Sequence, residues 1–174
     1  MTTIRALTTE DLFMFNNVNM DALTETYHLS YYLMYLARWP EMCSTAEGPG
    51  AETAGYIIGK AEGREELWHG HVTALTVSPT FRRQRLAERL MGLLEEVTET
   101  VKNGYFVDLF VRVSNAVAIG MYEKFGYTVY RRVLQYYAGE EDAFDMRKAM
   151  ARDVHKKSVV PLKRPVKPHE IEFH

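Results

Sequence analysis

Residues 71–94 read HVTALTVSPTFRRQRLAERLMGLL, and much of the fold follows from them. Val72 to Val77 is an apolar run rich in β-branched residues, which suits a strand. Pro79 ends it, because proline has no N–H to give to a ladder. A short basic turn follows, Phe81-Arg82-Arg83-Gln84-Arg85, and from Leu86 on the apolar residues recur at helical spacing. The first turn of a helix leaves backbone N–H groups unpaired at the positive end of its dipole. With arginines beside it, such an end forms a site for a phosphate-bearing ligand, although many basic turns are merely solvated.

Upstream of this stretch, Thr3 to Leu7 reads as a short strand. Thr8, with Asp11 three residues on, reads as the cap of a helix carrying Leu12, Phe13, Phe15 and Val18. Asp21 to His28 is a polar connection, and Ser30 to Arg38 is a second helix stopped by Trp39-Pro40. Tyr31, Tyr32, Tyr35 and Trp39 make that helix aromatic, as core packing or a face toward a partner requires. Cys43 to Glu47 and Ala54 to Ala61 are strands around the turn Gly48-Pro49-Gly50, and Gly63 to Trp68 links into His69-Gly70-His71.

Downstream, Asn103-Gly104 ends the central helix, and Tyr105 to Val111 (YFVDLFV) has the continuous apolar pattern of an interior strand. Ser114-Asn115 caps a helix with the stripe Val117, Ala118, Met121, Tyr122 and Phe125. Gly126 closes it before a final strand, Tyr127 to Tyr137. The order β-α-α-β-β-β-α-β-α-β predicts an α/β (α+β) domain over residues 1–152, a mixed central sheet flanked by helices. Residues 153–174, where three prolines fall among lysines, read as an extended basic tail that lies on the body or on a partner.

The 174 residues, 47% of them hydrophobic, suffice for one domain with a sizeable core. No apolar run approaches membrane-spanning length and no signal-peptide pattern occurs, so a cytoplasmic protein without a membrane role is expected. Cys43 is the sole cysteine, which excludes an internal disulfide. A net charge of −2 gives no footprint for DNA. From Arg147 onward, however, eight Lys and Arg face three Asp and Glu, a net of +5. Phosphate loops of the GxxxxGK[ST] type, GxGxxG, HExxH and nucleophile elbows are missing. A metal site built from His69, His71 and Cys43 is conceivable, since the two histidines share one side of a strand, but no further Cys/His set follows and no metal is expected.

Two polar side chains on the central strand stand out. His71 and Thr73 alternate onto the face that continues as Leu75 and Val77. They read either as the lining of a substrate slot or, for His71, as a hydrogen-bonded core histidine. Asn115 opens its helix, and Tyr122 lies two turns along the same face, with a hydroxyl that needs a partner or must reach the site.

Strand–Pro–basic turn–helix, followed by VRVSN-x-x-A-x-x-M-Y-x-x-x-G-Y from Val111 to Tyr127, resembles the GNAT acetyltransferase family. That family's pyrophosphate loop, Arg/Gln-x-x-Gly-x-Gly/Ala, is matched by Arg82 and Ala87, with Arg85 where the pattern has glycine. The segments at 8–27, 32–41, 55–63, 65–75, 106–115 and 142–162 resemble the catalytic subunits of NatB-type N-terminal acetyltransferases. The resemblance implies acetyl transfer from acetyl-CoA to the α-amine of nascent chains beginning Met-Asp, Met-Glu, Met-Asn or Met-Gln. It also implies a large helical-repeat auxiliary subunit that docks the ribosome, with Leu29 to Trp39 a reasonable docking face. By the same resemblance, Leu75, Val77, Arg82, Arg83, Arg85, Leu86 and Ala87 hold acetyl-CoA, together with Asn115 and Tyr122 at its sulfur end. Tyr122 is then the candidate general acid. Glu25, Thr26, Tyr27, His71, Thr73, Tyr136 and Tyr137 meet the peptide, with His71 and Thr73 donating hydrogen bonds to its second side chain. An α-amine has a pKa of about 7.7–8, so a strong base is not essential. Two alternatives stay open: a GNAT enzyme acting on lysine side chains or a small amine, and a catalytically weak docking subunit with Arg85 spoiling the loop.

Overall fold

A computed structural model describes residues 1–15, 26–138 and 140–171. Among them, seven strands form one sheet: β1 (Thr3–Ala6), β2 (Cys43–Glu47), β3 (Thr53–Glu62), β4 (His69–Val77), β5 (Phe106–Arg112), β6 (Thr128–Tyr137) and β7 (Glu141–Ala149). The helices are α1 (Leu29–Arg38), α2 (Leu86–Thr100) and α3 (Ala116–Lys124). The strand order is β1-β2-β3-β4-β5-β7-β6. The chain divides into two compact units, one of residues 1–60 and 72–97, the other of residues 61–71 and 98 onward.

In the first unit, β1, β2 and β3 pair antiparallel, with Ile4 opposite Ala46 and Thr45 opposite Tyr56. Tyr32 and Tyr35 turn from α1 into a core of Leu7, Leu12, Phe15, Cys43, Tyr56, Ile58 and Ala74. Each fully buried side chain of this size contributes about 1.5–3 kcal/mol. Asp11 does reach back to the Thr8 N–H (2.8 Å), and Arg5 clamps its two oxygens at 2.8 Å each. The cap is therefore shifted: Thr9 takes the cap position, and the turn it opens, Glu10–Phe13, is a 3₁₀ turn rather than the start of a longer described helix. Val18 and the first part of the expected connection, Asp21 to Glu25, lie outside the described residues. α2 buries Leu86, Leu90, Met91 and Leu94, a single stripe at helical spacing.

In the second unit the sequence reading needs correcting, because the sheet does not end at Tyr137. β7 follows it and inserts between β5 and β6, with Asp108 opposite Arg147 on one side and Arg131 opposite Asp145 on the other. Its charges are internal: Asp145 and Arg147 are buried and lie 3.3 Å apart, and Arg131 meets Asp145 at 2.9 Å. Arg147 also lies over the Tyr130 ring and belongs to the sheet, not to a basic surface. The expected stripe of α3 needs a second correction, since Val117 is 86% exposed. Residues after 153 run along β6: Leu162 N–H bonds Tyr130, Val166 N–H bonds Arg132, and Val166 pairs parallel with Val133. Asp153 anchors the start of this run by accepting from the Lys157 and Ser158 N–H groups.

Candidate active site

The first unit carries the basic turn. Ser78, Pro79 and Phe81 close a 3₁₀ turn after β4, and Phe81 packs with Val77 against Ala46, Ala54 and Leu86. Arg82, Arg83 and Arg85 remain exposed. Arg85 does not sit in the first helical turn. It precedes Leu86 with φ of 58°, and Arg83 has φ of 70°. Both are left-handed conformations that glycine adopts at no cost and a side chain adopts at about 1–2 kcal/mol. The backbone at Arg85 thus takes the glycine-like shape despite its side chain, which turns aside to pair with Glu88 at 2.7 Å. The first hydrogen bond into α2 runs from Arg89 N–H to the Arg85 carbonyl, so the N–H groups of Leu86 and Ala87 face the turn. Leu86 itself is 2% exposed, which limits its share to the backbone. Positive charge with unpaired N–H groups fits the pyrophosphate of acetyl-CoA.

On β4, Thr73, Leu75 and Val77 are half-buried, while Val72, Ala74 and Thr76 between them are buried. The Thr73 hydroxyl donates to Tyr35 at 2.7 Å, and the Tyr35 and Tyr31 hydroxyls lie 3.2 Å apart. This alters the expected role of Thr73. Its proton is already given away, so toward a ligand it offers lone pairs rather than a donor. Thr26 and Tyr27 line an open cleft of about 610 Å³ with His28, Ser30, Tyr31 and Met34. Tyr27 lies against Tyr31, ring centroids 4.7 Å apart, and its N–H bonds the Tyr32 hydroxyl. Glu25 lies outside the described residues.

The second unit carries the remaining candidates. His71 on β4 is buried, and its Nδ1 lies 2.7 Å from Oδ1 of Asp108 on β5. Asp108 is itself buried, 3.4 Å from His69 Nε2. In the sequence Asp108 reads as part of an apolar strand. A lone carboxylate in such a run must be paired, and that is the signal that would have found it. Burial opposes charge on His69, but the carboxylates of Asp108 at 3.4 Å and Glu62 at 3.7 Å outweigh it, raising its pKa to about 10. Burial likewise works against a charged Asp108, and the two imidazoles outweigh it, holding the carboxyl well below the usual carboxylate range. Phe110 lies 5.4 Å from the His71 ring and 4.8 Å from that of Tyr136. A bulge in β6, where Gln135 has φ of 51°, sets the direction of Tyr136 and Tyr137, and Arg112 lies over the Tyr137 ring at 4.3 Å.

Asn115 caps α3 as expected, its side-chain oxygen accepting from the Ala118 N–H at 3.1 Å. One lone pair of that oxygen is committed, which leaves the other and the amide N–H groups of Asn115 for a ligand. Tyr122 is buried, its ring against Phe125 and Tyr127, and burial pushes its hydroxyl up to about 12. It stays a neutral phenol, able to donate a proton, at any working pH. Among the described residues no group of three or more His, Cys, Asp or Glu side chains is placed to hold a metal ion, and no helix is long and apolar enough to cross a membrane.

A mixed sheet bearing a basic turn at a helix start defines an acyltransferase scaffold of the GNAT type, and residues 9–127 match the model of the acetyltransferase (GNAT) family. The chain is 61% identical, over 99% of both chains, to the N-terminal acetyltransferase B complex catalytic subunit NAA20 of Arabidopsis thaliana. It is 60% identical to N-alpha-acetyltransferase 20 of Dictyostelium discoideum, covering 99% of this chain and all of that one. The crystal structure of Chaetomium thermophilum Naa20 in complex with a bisubstrate analogue superposes with a TM-score of 0.90 at 39% identity, covering 96% of this chain and 97% of that one. The chain belongs to the GNAT acetyltransferase family and, within it, to the NatB catalytic subunits.

Proposed function

We propose that this chain transfers the acetyl group of acetyl-CoA to the α-amine of polypeptides that begin Met-Asp, Met-Glu, Met-Asn or Met-Gln. The observation that carries the reading is the 61% identity, end to end, with an acetyltransferase B catalytic subunit. The geometry of the chain supports it. Arg82, Arg83, Arg85 and the N–H groups of Leu86 and Ala87 take the pyrophosphate, and the β4 backbone at Leu75 and Val77 orients the pantetheine arm. The neutral amine attacks the thioester carbon, the C–S bond breaks, and the amine sheds a proton as the thiolate gains one. Thr73 accepts a hydrogen bond from the amine or the first peptide N–H. Tyr122 and the amide of Asn115 serve the departing sulfur. With a pKa near 12, Tyr122 serves best as a hydrogen-bond donor that steadies the thiolate while its proton is passed on and replaced.

His71, with Tyr136 and Tyr137, takes the second side chain of the substrate, and Thr26 and Tyr27 take its first residue. Leu29, Leu33 and Met34 form an exposed apolar stripe on α1, and Phe13 and Met14 are exposed nearby in sequence. Such a stripe fits a large helical-repeat auxiliary subunit, through which the enzyme meets the ribosome in the cytoplasm. The test is acetyl transfer to Met-Asp, Met-Asn, Ser-initial and internal-lysine peptides, with and without that subunit. Activity confined to free Met-Asp-type N-termini is expected, and preference for the lysine side chain would overturn the reading.

A further inference from the structure

We infer that Asp108 fixes the tautomer and the charge of His71, and so sets how strongly the enzyme prefers an acidic over an amide side chain at the substrate's second residue. The inference rests on the reading that His71 meets that side chain. An ionised carboxylate only accepts hydrogen bonds, so the 2.7 Å contact puts a proton on His71 Nδ1 and leaves Nε2 as the atom that faces a ligand. Among the described residues Nε2 makes no hydrogen bond, and the His71 side chain keeps 11% of its surface exposed.

The state of Nε2 then decides what it can read. In the neutral ring it is a lone pair, which accepts from a carboxamide N–H and repels a carboxylate. In the imidazolium it is a donor, which binds a carboxylate with a charge-assisted bond and a carboxamide oxygen with a weaker one. Thr73 cannot stand in as the donor, because its proton goes to Tyr35. Recognition of Asp or Glu therefore falls on the second proton of His71, and the carboxylate that stabilises that proton is Asp108.

The surrounding charges permit this. His69, on the same strand, lies 3.4 Å from Asp108 and 3.7 Å from Glu62 of β3, so two carboxylates face two imidazoles and both rings can carry charge together. From β5, the group facing His71 besides Asp108 is the apolar ring of Phe110. From β7, Asp145 also faces Asp108; burial and the Asp108 charge push its carboxyl above the usual carboxylate range, against the pull of Arg147 at 3.3 Å and Arg131 at 2.9 Å. The low pKa of Asp108 agrees with a carboxylate held ionised between two rings. Asp108 acts through His71 and is a positioning residue.

The experiment compares kcat/KM for Met-Asp and Met-Asn peptides in the assembled enzyme. Asp108→Asn keeps an oxygen that accepts from Nδ1–H but removes the charge. We expect the Met-Asp to Met-Asn ratio to fall about tenfold or more, with Met-Asn itself changing only a few-fold. An unchanged ratio would overturn the inference. His71→Gln gives a second reading that leaves Asp108 in place: its amide keeps a hydrogen-bonding group but no charge, so the ratio should fall about as far as in Asp108→Asn. A ratio left unchanged in His71→Gln contradicts the inference even where Asp108→Asn does not fold. His71→Ala separates the premise: unchanged peptide kinetics there would sink the substrate reading itself, whereas loss on both peptides with an unmoved ratio in Asp108→Asn would sink only the role of Asp108.

Discussion

The turn Arg82–Ala87 and the cluster His69–His71–Asp108 both handle charge, and they do so in opposite ways. The turn is exposed: its arginines lie in solvent, its helix N–H groups face the turn, and its parts are contiguous in the chain. The cluster is buried, and none of its three members has a defined state without the other two. An exposed anion site tolerates loss of one part, because water replaces what is removed. A buried one does not, because a charge left without its partner is stranded. The difference sets how far each region responds to substitution.

Tyr122 belongs to neither region, and the largest effect is expected there. Tyr122→Phe should lower kcat about a hundredfold while leaving the KM for both substrates within a few-fold, measured by steady-state acetyl transfer. Equal loss in a KM would mean that Tyr122 binds rather than assists departure of the thiolate. Next comes His71→Ala, with kcat/KM for Met-Asp peptides down about 30-fold and acetyl-CoA affinity unchanged by calorimetry. The double substitution Arg82→Ala with Arg83→Ala should raise the KM for acetyl-CoA by about three- to tenfold and leave the Met-Asp to Met-Asn preference alone. The comparison breaks if those arginines change peptide preference.

Smaller effects separate the two regions by stability. His69 has a raised folded-state pKa of about 10 against an ordinary 6.5. A raised pKa contributes stability that is complete below the unfolded value and is lost as pH rises through the folded one. Thermal midpoints should therefore decline by several degrees between about pH 7 and about pH 10, and His69→Phe should flatten that part of the profile. Arg85→Gly should change least. Relief of the left-handed backbone offsets the lost Glu88 pair and the added freedom of the unfolded chain, leaving the thermal midpoint within a few degrees of that of the starting protein.

The same contrast governs what the sequence discloses. Arg82 to Ala87 is legible because its parts are contiguous and its signals, Pro79 and the helical stripe from Leu86, are local. Asn115 and Gly126 bound α3 for the same reason. Asp108 was not legible as a site, since its meaning comes from two histidines 37 and 39 positions earlier in the chain. β7 escaped for a related cause: in EDAFDMRKA the buried residues include Asp145 and Arg147, and charges that neutralise one another across strands look, in one dimension, like a solvated loop. Val117 failed in the other direction, an apolar residue at a helical position that the short α3 leaves in solvent. Thr73 was placed on the correct strand, but its partner Tyr35, 38 residues away, reverses it from donor to acceptor.

The central claim is that the exposed turn serves acetyl-CoA and the buried cluster serves the peptide, each independently. The direct test is a double-mutant cycle on kcat/KM at subsaturating levels of both substrates, combining the Arg82→Ala and Arg83→Ala pair with His71→Ala. The losses are expected to multiply, with a coupling of less than about 0.5 kcal/mol, and each variant alone should move the KM of one substrate only. A coupling well beyond that, or a shift of both KM values by either variant, would contradict it.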